Sequence, residues 1–152
     1  MSLIIATGTN LNNKLENLHQ AKALLSEKFE FIAESSIYTS AAIEYLNQPD
    51  FYNQVLEFKT PELTPPTILT IILEIEKLMG RVRVIDKGPR IIDIDIIFFG
   101  LLEISLPDLK IPHPAWSQRS FVVKPLQQLP FYQTLKKHFI IPTEFNNIAT
   151  PI

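Results

Sequence analysis

The first part of the chain changes from an unbroken apolar run to apolar residues at helical spacing. Residues 3–7 are apolar up to a Gly-Thr-Asn turn, which predicts a buried strand. From Asn13 the apolar residues recur at intervals of three and four up to about Lys28. Because Asn13 is followed three places later by Glu16, the start of this segment resembles a capping box. We therefore predict a helix after the first strand.

In the middle of the chain, two segments with strand periodicity are followed by one with helical periodicity. Residues 29–38 and 52–60 carry β-branched and aromatic side chains near period two, which predicts two strands. The polar segment between them, residues 41–50, is too long for a tight hairpin. Thr64 and two prolines then begin a second series of apolar residues at helical spacing, which ends at Gly80. This series predicts a second helix.

A third apolar run, residues 91–99, predicts a strand that ends at Gly100. The resulting order β-α-β-β-α-β favours an α+β fold with a ferredoxin-like core, in which both helices cover one face of a mostly antiparallel sheet. Beyond it, residues 103–106 predict a small hairpin strand and residues 120–129 a further helix, with a mostly irregular C-terminus. We expect one domain over residues 1–152.

The amino-acid composition excludes or disfavours several classes of function. Fourteen Lys and Arg against sixteen Asp and Glu give a net charge of −2, which disfavours nonspecific binding to nucleic acid. There is no cysteine, which excludes disulfides, thiolate zinc sites and a cysteine nucleophile. No apolar run reaches about 18 residues, and no basic-then-apolar leader opens the chain. We expect a cytoplasmic protein without a membrane span, and a monomer, since no long apolar heptad pattern is present.

Asp93 and Asp95 alternate with Ile92, Ile94 and Ile96. In a strand the isoleucines point to one face and both aspartates to the other. Positions on one face are about 6.5 to 7 Å apart, a spacing at which two carboxylates can bridge a pair of cations about 3.5 to 4 Å apart. Oxygen ligands without His or Cys indicate magnesium. The alternative is a half-exposed strand with solvated aspartates, although aspartate is disfavoured in strands.

Four cations precede this strand: Arg81, Arg83, Lys87 and Arg90. Cations beside metal-binding acids form a site for a polyphosphate, whose transfer depends mainly on positioning and charge neutralisation. The alternative is a solvated basic turn whose surface ion pairs contribute little to stability.

Two further segments combine polar and aromatic side chains. His113 lies between two prolines and is followed by Arg119 and Phe121, which adds an imidazole, a guanidinium and an aromatic ring. Residues 47–53 place amides beside aromatic rings, a suitable surface for a flat heterocycle. The alternative for His113 is a surface or packing residue. The alternative for residues 47–53 is a loop that leads into a strand.

These groups leave two classes of function open. The first is a magnesium-dependent enzyme that acts on a polyphosphate. The second is a noncatalytic module on a ferredoxin-like sheet, which binds a small molecule or stacks RNA bases on its aromatic rings. The net charge of −2 disfavours RNA, and ATP affinity with and without magnesium separates a regulatory module from the enzyme.

Six sequence blocks, taken together, resemble the ordered motifs of the 6-hydroxymethyl-7,8-dihydropterin pyrophosphokinase family over residues 3 to about 129. The blocks are Gly8-Thr9-Asn10-Leu11, Asn47-Gln48-Pro49-Asp50-Phe51-Tyr52-Asn53, Gly80-Arg81-Val82-Arg83, Gly88-Pro89-Arg90-Ile91-Ile92-Asp93-Ile94-Asp95-Ile96, Ile111-Pro112-His113 and Arg119-Ser120-Phe121. The resemblance implies transfer of the β,γ-pyrophosphoryl unit of ATP to the hydroxymethyl group of the pterin, with release of AMP, in folate biosynthesis.

The resemblance also implies a role for individual residues. Asp93 and Asp95 would hold two magnesium ions, and Arg81 and Arg90 would be catalytic. The implied ATP-binding residues are Glu76, Arg83, Ile96, His113 and Arg119. The implied pterin-binding residues are Ser40, Ala41, Ile43, Phe51, Asn53 and Phe121, with the floor of the pocket shaped by Gly8 and Asn10.

Within the implied pterin pocket, Phe51 and Phe121 would sandwich the ring and Asn53 would read its polar edge. The chain departs from the usual family pattern at residues 40–43 and at Lys87. These departures leave a related or inactive enzyme open as a third alternative.

Overall fold

The computed structural model describes residues 1–43, 47–81 and 88–152. Within these ranges the elements are β1 (Ser2–Thr9), α1 (Lys14–Lys28), β2 (Phe31–Glu34), β3 (Tyr38–Ser40), β4 (Phe51–Lys59), α2 (Pro65–Leu78), β5 (Asp93–Phe99), β6 (Ile104–Leu106), β7 (Leu109–Ile111), α3 (Ser120–Leu126), α4 (Tyr132–His138) and β8 (Ala149–Pro151). A short 3-10 helix, Trp116–Gln118, precedes α3.

One antiparallel sheet organises these elements. Its strand order is β5-β1-β4-β3-β8, and β2 pairs with the other end of β4. β1 therefore lies between β4 and β5, and Gly8 is paired with Asn53 on one side and with Asp93 on the other. This arrangement confirms the predicted α+β fold with its mostly antiparallel sheet, and β6 and β7 form the predicted small hairpin.

The two helices of the core begin at the capping residues that the sequence predicts. The side chain of Asn13 accepts a hydrogen bond from the Glu16 amide at 3.1 Å, and α1 begins at the next residue. The side chain of Thr64 accepts from the Thr67 amide at 3.4 Å, and Pro65 occupies the first turn of α2, where its missing N–H costs nothing.

The sheet separates two apolar cores. Ile92, Ile94 and Ile96 pack with Leu3 and Ile5 against α1 and α2 on one face. The other face is covered by α3 and α4, whose apolar residues pack with Ile4, Val55, Ile97, Phe98 and Trp116. The predicted placement of the first two helices on one face is therefore confirmed, and the C-terminal part of the chain supplies a second layer.

The strand predicted over residues 29–38 is two strands, β2 and β3, both paired with β4. Ser35 lies between them: its hydroxyl accepts from the Val55 amide at 3.0 Å and its carbonyl from the Gln54 side chain at 2.9 Å. The Ser35 amide also donates to the Val55 carbonyl at 2.9 Å, so the regular ladder is interrupted by side-chain bonds while the chain stays along the edge of β4.

The C-terminal predictions were partly wrong. The helix predicted over residues 120–129 ends at Leu126, and the stretch predicted as mostly irregular contains α4 and β8. α4 forms because Leu135 and Phe139 are packed in the second core, and β8 forms because it pairs with β3. No helix in the described part of the chain is long and apolar enough to cross a membrane.

Leu135→Ala is expected to lower the free energy of unfolding by about 2 to 5 kcal/mol, because the fully buried side chain leaves a cavity in the second core. The matched control is Leu78→Ala at the end of α2, where the side chain is 71% exposed. That change should alter stability by less than about 0.5 kcal/mol. Urea unfolding of both variants measures the difference, and equal effects would show that α4 does not seal the core.

Candidate active site

A cavity of about 300 Å³ opens on the face of the sheet that carries α3. β1, β4 and β5 provide its floor, and residues 88–90, 40–43 and the start of α3 provide its walls. The lining residues are Ala6, Thr7, Gly8, Ser40, Ala41, Ala42, Ile43, Gln48, Phe51, Asn53, Arg81, Gly88, Pro89, Arg90, Asp93, Asp95, His113, Arg119, Phe121 and Val122.

Asp93 and Asp95 both face this cavity, because Ile94 and Ile96, which alternate with them in β5, point toward the opposite core. Each oxygen of Asp93 accepts a hydrogen bond from an arginine: Oδ1 from Nη1 of Arg81 at 2.9 Å and Oδ2 from Nη1 of Arg90 at 3.2 Å. Two guanidinium groups from opposite ends of the 81–90 segment therefore meet at one carboxylate.

Glu76 holds Arg81 from behind the cavity. Its buried Oε2 accepts from Nη1 of Arg81 at 2.7 Å and from the Ile94 amide at 2.8 Å. Burial raises the pKa of Glu76, while the positive charge of Arg81 and the Ile94 hydrogen bond act in the opposite direction. Glu76 thus connects the end of α2 to β5 and fixes the guanidinium of Arg81 beside Asp93.

Asp95 has a different environment from Asp93. Burial, followed by the neighbouring charge of Asp93, raises the pKa of Asp95 to about 7. Among the described residues its closest cation is Arg119, with Nη1 at 4.0 Å from Oδ2, and this charge offsets only part of the increase in pKa. The side chain therefore lies where an added cation would be strongly favoured.

Two buried donor atoms face no acceptor in the described part of the chain. They are the Nε atoms of Arg81 and Arg119, which lie on opposite sides of the two aspartates. Unpartnered buried donors are costly, so these atoms point to an acceptor that enters with a ligand. Guanidinium groups of this kind match the oxygen atoms of phosphate.

His113 is held as a neutral imidazole. Its Nδ1 accepts a hydrogen bond from the Ala115 amide at 3.1 Å, which leaves the proton on Nε2. Burial, assisted by the positive charge of Arg119, lowers the pKa of His113 to about 4. The ring therefore faces the cavity as a neutral hydrogen-bond donor.

The other end of the cavity is aromatic and amide-rich. The Asn53 side chain donates from Nδ2 to the Ser40 hydroxyl at 2.8 Å, which joins β4 to β3 across the wall. The guanidinium of Arg90 lies 5.5 Å from the centre of the Phe51 ring, and that of Arg119 lies 5.7 Å from the Phe121 ring. Each ring is thus placed against a cation of the charged end.

Gly8 lies beneath this end of the cavity. A Cβ atom at this position would stand 3.3 Å from Oδ1 of Asn53 and 3.8 Å from the Phe51 ring. A side chain at residue 8 would therefore press on Oδ1 of Asn53, whereas its approach to the Phe51 ring would be an ordinary van der Waals contact.

Asn10, which the resemblance places at the floor, joins two loops. Its Nδ2 donates to the Gln48 side chain at 2.8 Å and to the Pro49 carbonyl at 3.0 Å. Its Oδ1 accepts from the Arg90 amide at 2.9 Å, and its own amide donates to the Arg90 carbonyl. The buried Asn10 therefore holds the loop before β4 against the residue that contacts Asp93.

The cavity brings together most of the residues to which the resemblance assigns a role, but Glu76, Ile96 and Asn10 do not line it. Glu76 is buried behind Arg81, and the side chain of Ile96 is packed in the core against α1 and α2. Arg83 lies outside the described residues, as does Lys87. The roles of all these residues stay predictions.

Seven lining residues had no role in the predicted site: Ala6, Thr7, Ala42, Gln48, Gly88, Pro89 and Val122. Gln48, Gly88 and Pro89 were signalled only by their place in the sequence motifs. The other four have small or apolar side chains, and nothing in their spacing distinguishes them from packing residues.

A sequence model of the 7,8-dihydro-6-hydroxymethylpterin-pyrophosphokinase family matches residues 4–130. The chain belongs to this family. It is 36% identical over 127 residues to the 2-amino-4-hydroxy-6-hydroxymethyldihydropteridine pyrophosphokinase of Bacillus subtilis, covering 82% of this chain and 75% of the relative. The corresponding protein of Haemophilus influenzae is 37% identical over 127 residues, with 82% and 79% covered.

Several other members of the family are much longer. The folic acid synthesis protein fol1 of Pneumocystis carinii is 42% identical over 126 residues, which are 82% of this chain and 17% of the relative. This chain therefore spans about a fifth of the length of several curated relatives that it matches. The crystal structure of the wild-type HPPK-DHPS of Plasmodium falciparum with pteroate shares the fold, with a TM-score of 0.63 at 18% identity over 83% of this chain and 38% of that one.

We expect the His113 ring to stay neutral until the pH falls to about 4. Since its pKa is lowered on folding, the neutral ring stabilises the fold fully above the unfolded pKa of about 6.5, and this contribution is lost as the pH falls toward 4. NMR titration of the imidazole carbon-bound protons measures this directly. The signal is assigned by its absence in His113→Asn, and a midpoint near 6.5 would contradict the buried, amide-bonded ring.

Proposed function

We propose that the chain transfers the pyrophosphoryl group of ATP to 6-hydroxymethyl-7,8-dihydropterin, giving the pterin diphosphate and AMP in the biosynthesis of tetrahydrofolate. One observation carries this proposal. A single cavity joins paired carboxylates and three arginines at one end to an aromatic and amide surface at the other. Membership of the pyrophosphokinase family then indicates which two substrates these ends receive.

The charged end fits the polyphosphate of ATP. Arg81, Arg90 and Arg119 surround the two aspartates, and the buried Nε atoms of Arg81 and Arg119 have no acceptor within the described ranges. Phosphate oxygens would satisfy these donors and draw Arg81 and Arg90 away from Asp93. His113 adds a donor without charge, since its neutral ring presents Nε2–H.

The two aspartates fit magnesium ions in number and in chemistry. No group of three or more His, Cys, Asp or Glu side chains that could hold a metal ion lies in the described part of the chain. Magnesium, however, is usually bound by one or two carboxylates together with substrate phosphates. The raised pKa of Asp95, caused by burial and by Asp93, fits a site completed by cations. Two bound magnesium ions would neutralise phosphate charge and orient the reacting groups.

The aromatic end fits the pterin. Phe51 and Phe121 offer ring faces for a flat heterocycle, and Asn53, oriented by Ser40, offers an amide for its polar edge. Ala41 and Ile43 line the same end and are exposed in this structure. A bound pterin would cover them and place its hydroxymethyl group toward Asp93 and Asp95.

These residues explain the reaction through positioning and charge. The hydroxymethyl oxygen gives its proton to solvent and forms a bond to the β-phosphorus of ATP, and the bond from that phosphorus to the bridging oxygen of the α-phosphate breaks, which releases AMP. Arg81 and Arg90 steady the transferring group and the leaving oxygen, since both lie beside Asp93. Arg119 and His113 hold the remaining phosphates. The protein itself contributes little covalent chemistry to the transfer.

Product analysis tests this proposal. The chain is incubated with Mg-ATP and 6-hydroxymethyl-7,8-dihydropterin, and the nucleotides are separated by ion-exchange chromatography. We expect AMP, and only when both the pterin and magnesium are present. ADP would show an ordinary kinase, and ATP binding without turnover would show an inactive relative or a noncatalytic module.

Asp95→Ala is the matched negative control for this assay. It removes one of the two carboxylates and should reduce AMP formation by several orders of magnitude without loss of the circular dichroism spectrum of the folded chain. Asp108→Ala, at an exposed turn between β6 and β7, should leave turnover unchanged. Unchanged magnesium-dependent turnover in Asp95→Ala would refute the assignment of this residue.

Gly8→Ala is expected to raise the KM for the pterin about tenfold, because the added methyl group presses on Oδ1 of Asn53 and shifts the amide that would bind the pterin edge. The dissociation constant for Mg-ATP should stay unchanged, since the methyl group lies at the amide-rich end of the cavity. Steady-state kinetics and calorimetry measure the two constants separately. An unchanged pterin KM would contradict the placement of the pterin over Gly8.

A further inference from the structure

The C-terminal segment, residues 145–151, reaches back to the cavity. It lies beyond residues 4–130, to which the family model applies, so membership of the family assigns it no role. Its last part is β8, which pairs with β3 so that Ala149 stands beside Ser40. Its first part follows α4 and passes the start of α3.

Asn147 of this segment makes three hydrogen bonds to the turn that leads into α3. Its Oδ1 accepts from the Ser120 amide at 2.8 Å and from the Ser120 hydroxyl at 2.5 Å. Its Nδ2 donates to the Gln118 carbonyl at 2.8 Å. The residue at the helix start, Arg119, makes no capping bond with its own side chain. A distant asparagine therefore caps α3.

These bonds hold the backbone on both sides of Arg119. Gln118 is bound on one side and Ser120 on the other, while the Arg119 carbonyl accepts from the Val122 and Val123 amides. Because the backbone is fixed, the direction in which the Arg119 side chain leaves the turn is fixed too. That side chain reaches Asp95, with Nη1 at 4.0 Å from Oδ2.

Phe121 follows one residue later and depends on the same turn. Its ring lines the cavity and lies 5.7 Å from the guanidinium carbon of Arg119. Asn147 itself is partly buried and lines the neighbouring cleft, not the cavity that contains the aspartates. Its hydrogen bonds connect it to the site through the turn that carries Arg119 and Phe121.

The same segment is attached to the opposite wall of the cavity. β8 is paired with β3 through residue 40, the Ile152 amide donates to the Ile37 carbonyl, and Lys124 of α3 donates from Nζ to the Ala149 carbonyl at 3.2 Å. The segment thus connects the Ser40 wall to the α3 wall and sets the distance between them.

We propose that Asn147 is a positioning residue for the pyrophosphoryl transfer, which holds Arg119 and Phe121 in place from the C-terminal segment. The inference rests on the proposed function, because Arg119 and Phe121 are assigned there to ATP and to the pterin. It gives a role in the site to a residue that lies outside residues 4–130, the part of the chain that the family model matches.

The test compares Asn147→Ala with Asn146→Ala. Asn146 is the adjacent, exposed asparagine, whose side-chain oxygen accepts a 3.0 Å hydrogen bond from Nδ2 of Asn147. Pterin diphosphate formation is measured at a temperature at which circular dichroism shows each variant fully folded. Asn147→Ala should lower kcat/KM for the pterin about tenfold, and Asn146→Ala should leave it within about twofold of the unchanged chain.

Asn147→Asp supplies the rescue, because a carboxylate still accepts from both Ser120 donors and is a good helix cap. It should recover most of the lost kcat/KM, although the bond to the Gln118 carbonyl is missing. Ser120→Ala is a milder variant that removes only the hydroxyl donor. It should show an intermediate loss that does not add to that of Asn147→Ala.

The outcomes separate this inference from the proposed function. If the protein without substitutions forms no AMP from ATP and the pterin, both the proposed function and this inference are wrong. If the unchanged chain is active and Asn147→Ala matches Asn146→Ala in kcat/KM, only the inference is overturned, even where Asn147→Ala lowers the melting temperature. A selective loss that Asn147→Asp restores supports it.

Discussion

The alternation of side chains along β5 is the constraint on which the rest of the molecule depends. Ile92, Ile94 and Ile96 enter the core against α1 and α2, and this forces Asp93 and Asp95 to the other face. A shift of one residue in the pairing of β5 with β1 would bury both carboxylates in that core and expose the isoleucines. The hydrophobic free energy of the core therefore also fixes where the carboxylates stand.

Two carboxylates side by side in a half-buried cavity repel each other, and the arginines compensate the two negative charges to different extents. Asp93 is bonded by Arg81 and Arg90, whereas Asp95 has, among the described residues, the more distant Arg119 beside it and a pKa raised to about 7 by burial and by Asp93. Within the described ranges, Asp95 therefore lacks a bonded cation, and the Nε atoms of Arg81 and Arg119 lack an acceptor. Under the proposed function, magnesium would supply positive charge beside Asp95 and phosphate oxygens would accept from the arginines. We therefore expect the binding of the two to be coupled.

Features set by local chemistry were predictable from the sequence. The starts of α1 and α2 follow from Asn13 and Thr64, and the face of Asp93 and Asp95 follows from simple alternation. Features set by distant partners were not. The break at Ser35 depends on Val55 and Gln54, and α4 and β8 depend on a core and a strand that are far away in sequence. For the site, motifs named most of the lining residues, but only the structure pairs Arg81 with Glu76 or Asn10 with Arg90.

The segment beyond residue 130 shows that the limits of a family match are not the limits of the folded unit. Phe139 packs on Phe98 and Trp116, with ring centres 5.3 and 6.0 Å apart, and so completes the core beneath the turn that carries Arg119. Such a segment can change in sequence as long as it fills the same space and caps the same helix, whereas the ligands of a phosphate cannot. A site can therefore keep its motifs while the parts that hold them vary, and those parts have to be found by tracing each hydrogen bond outward from the site.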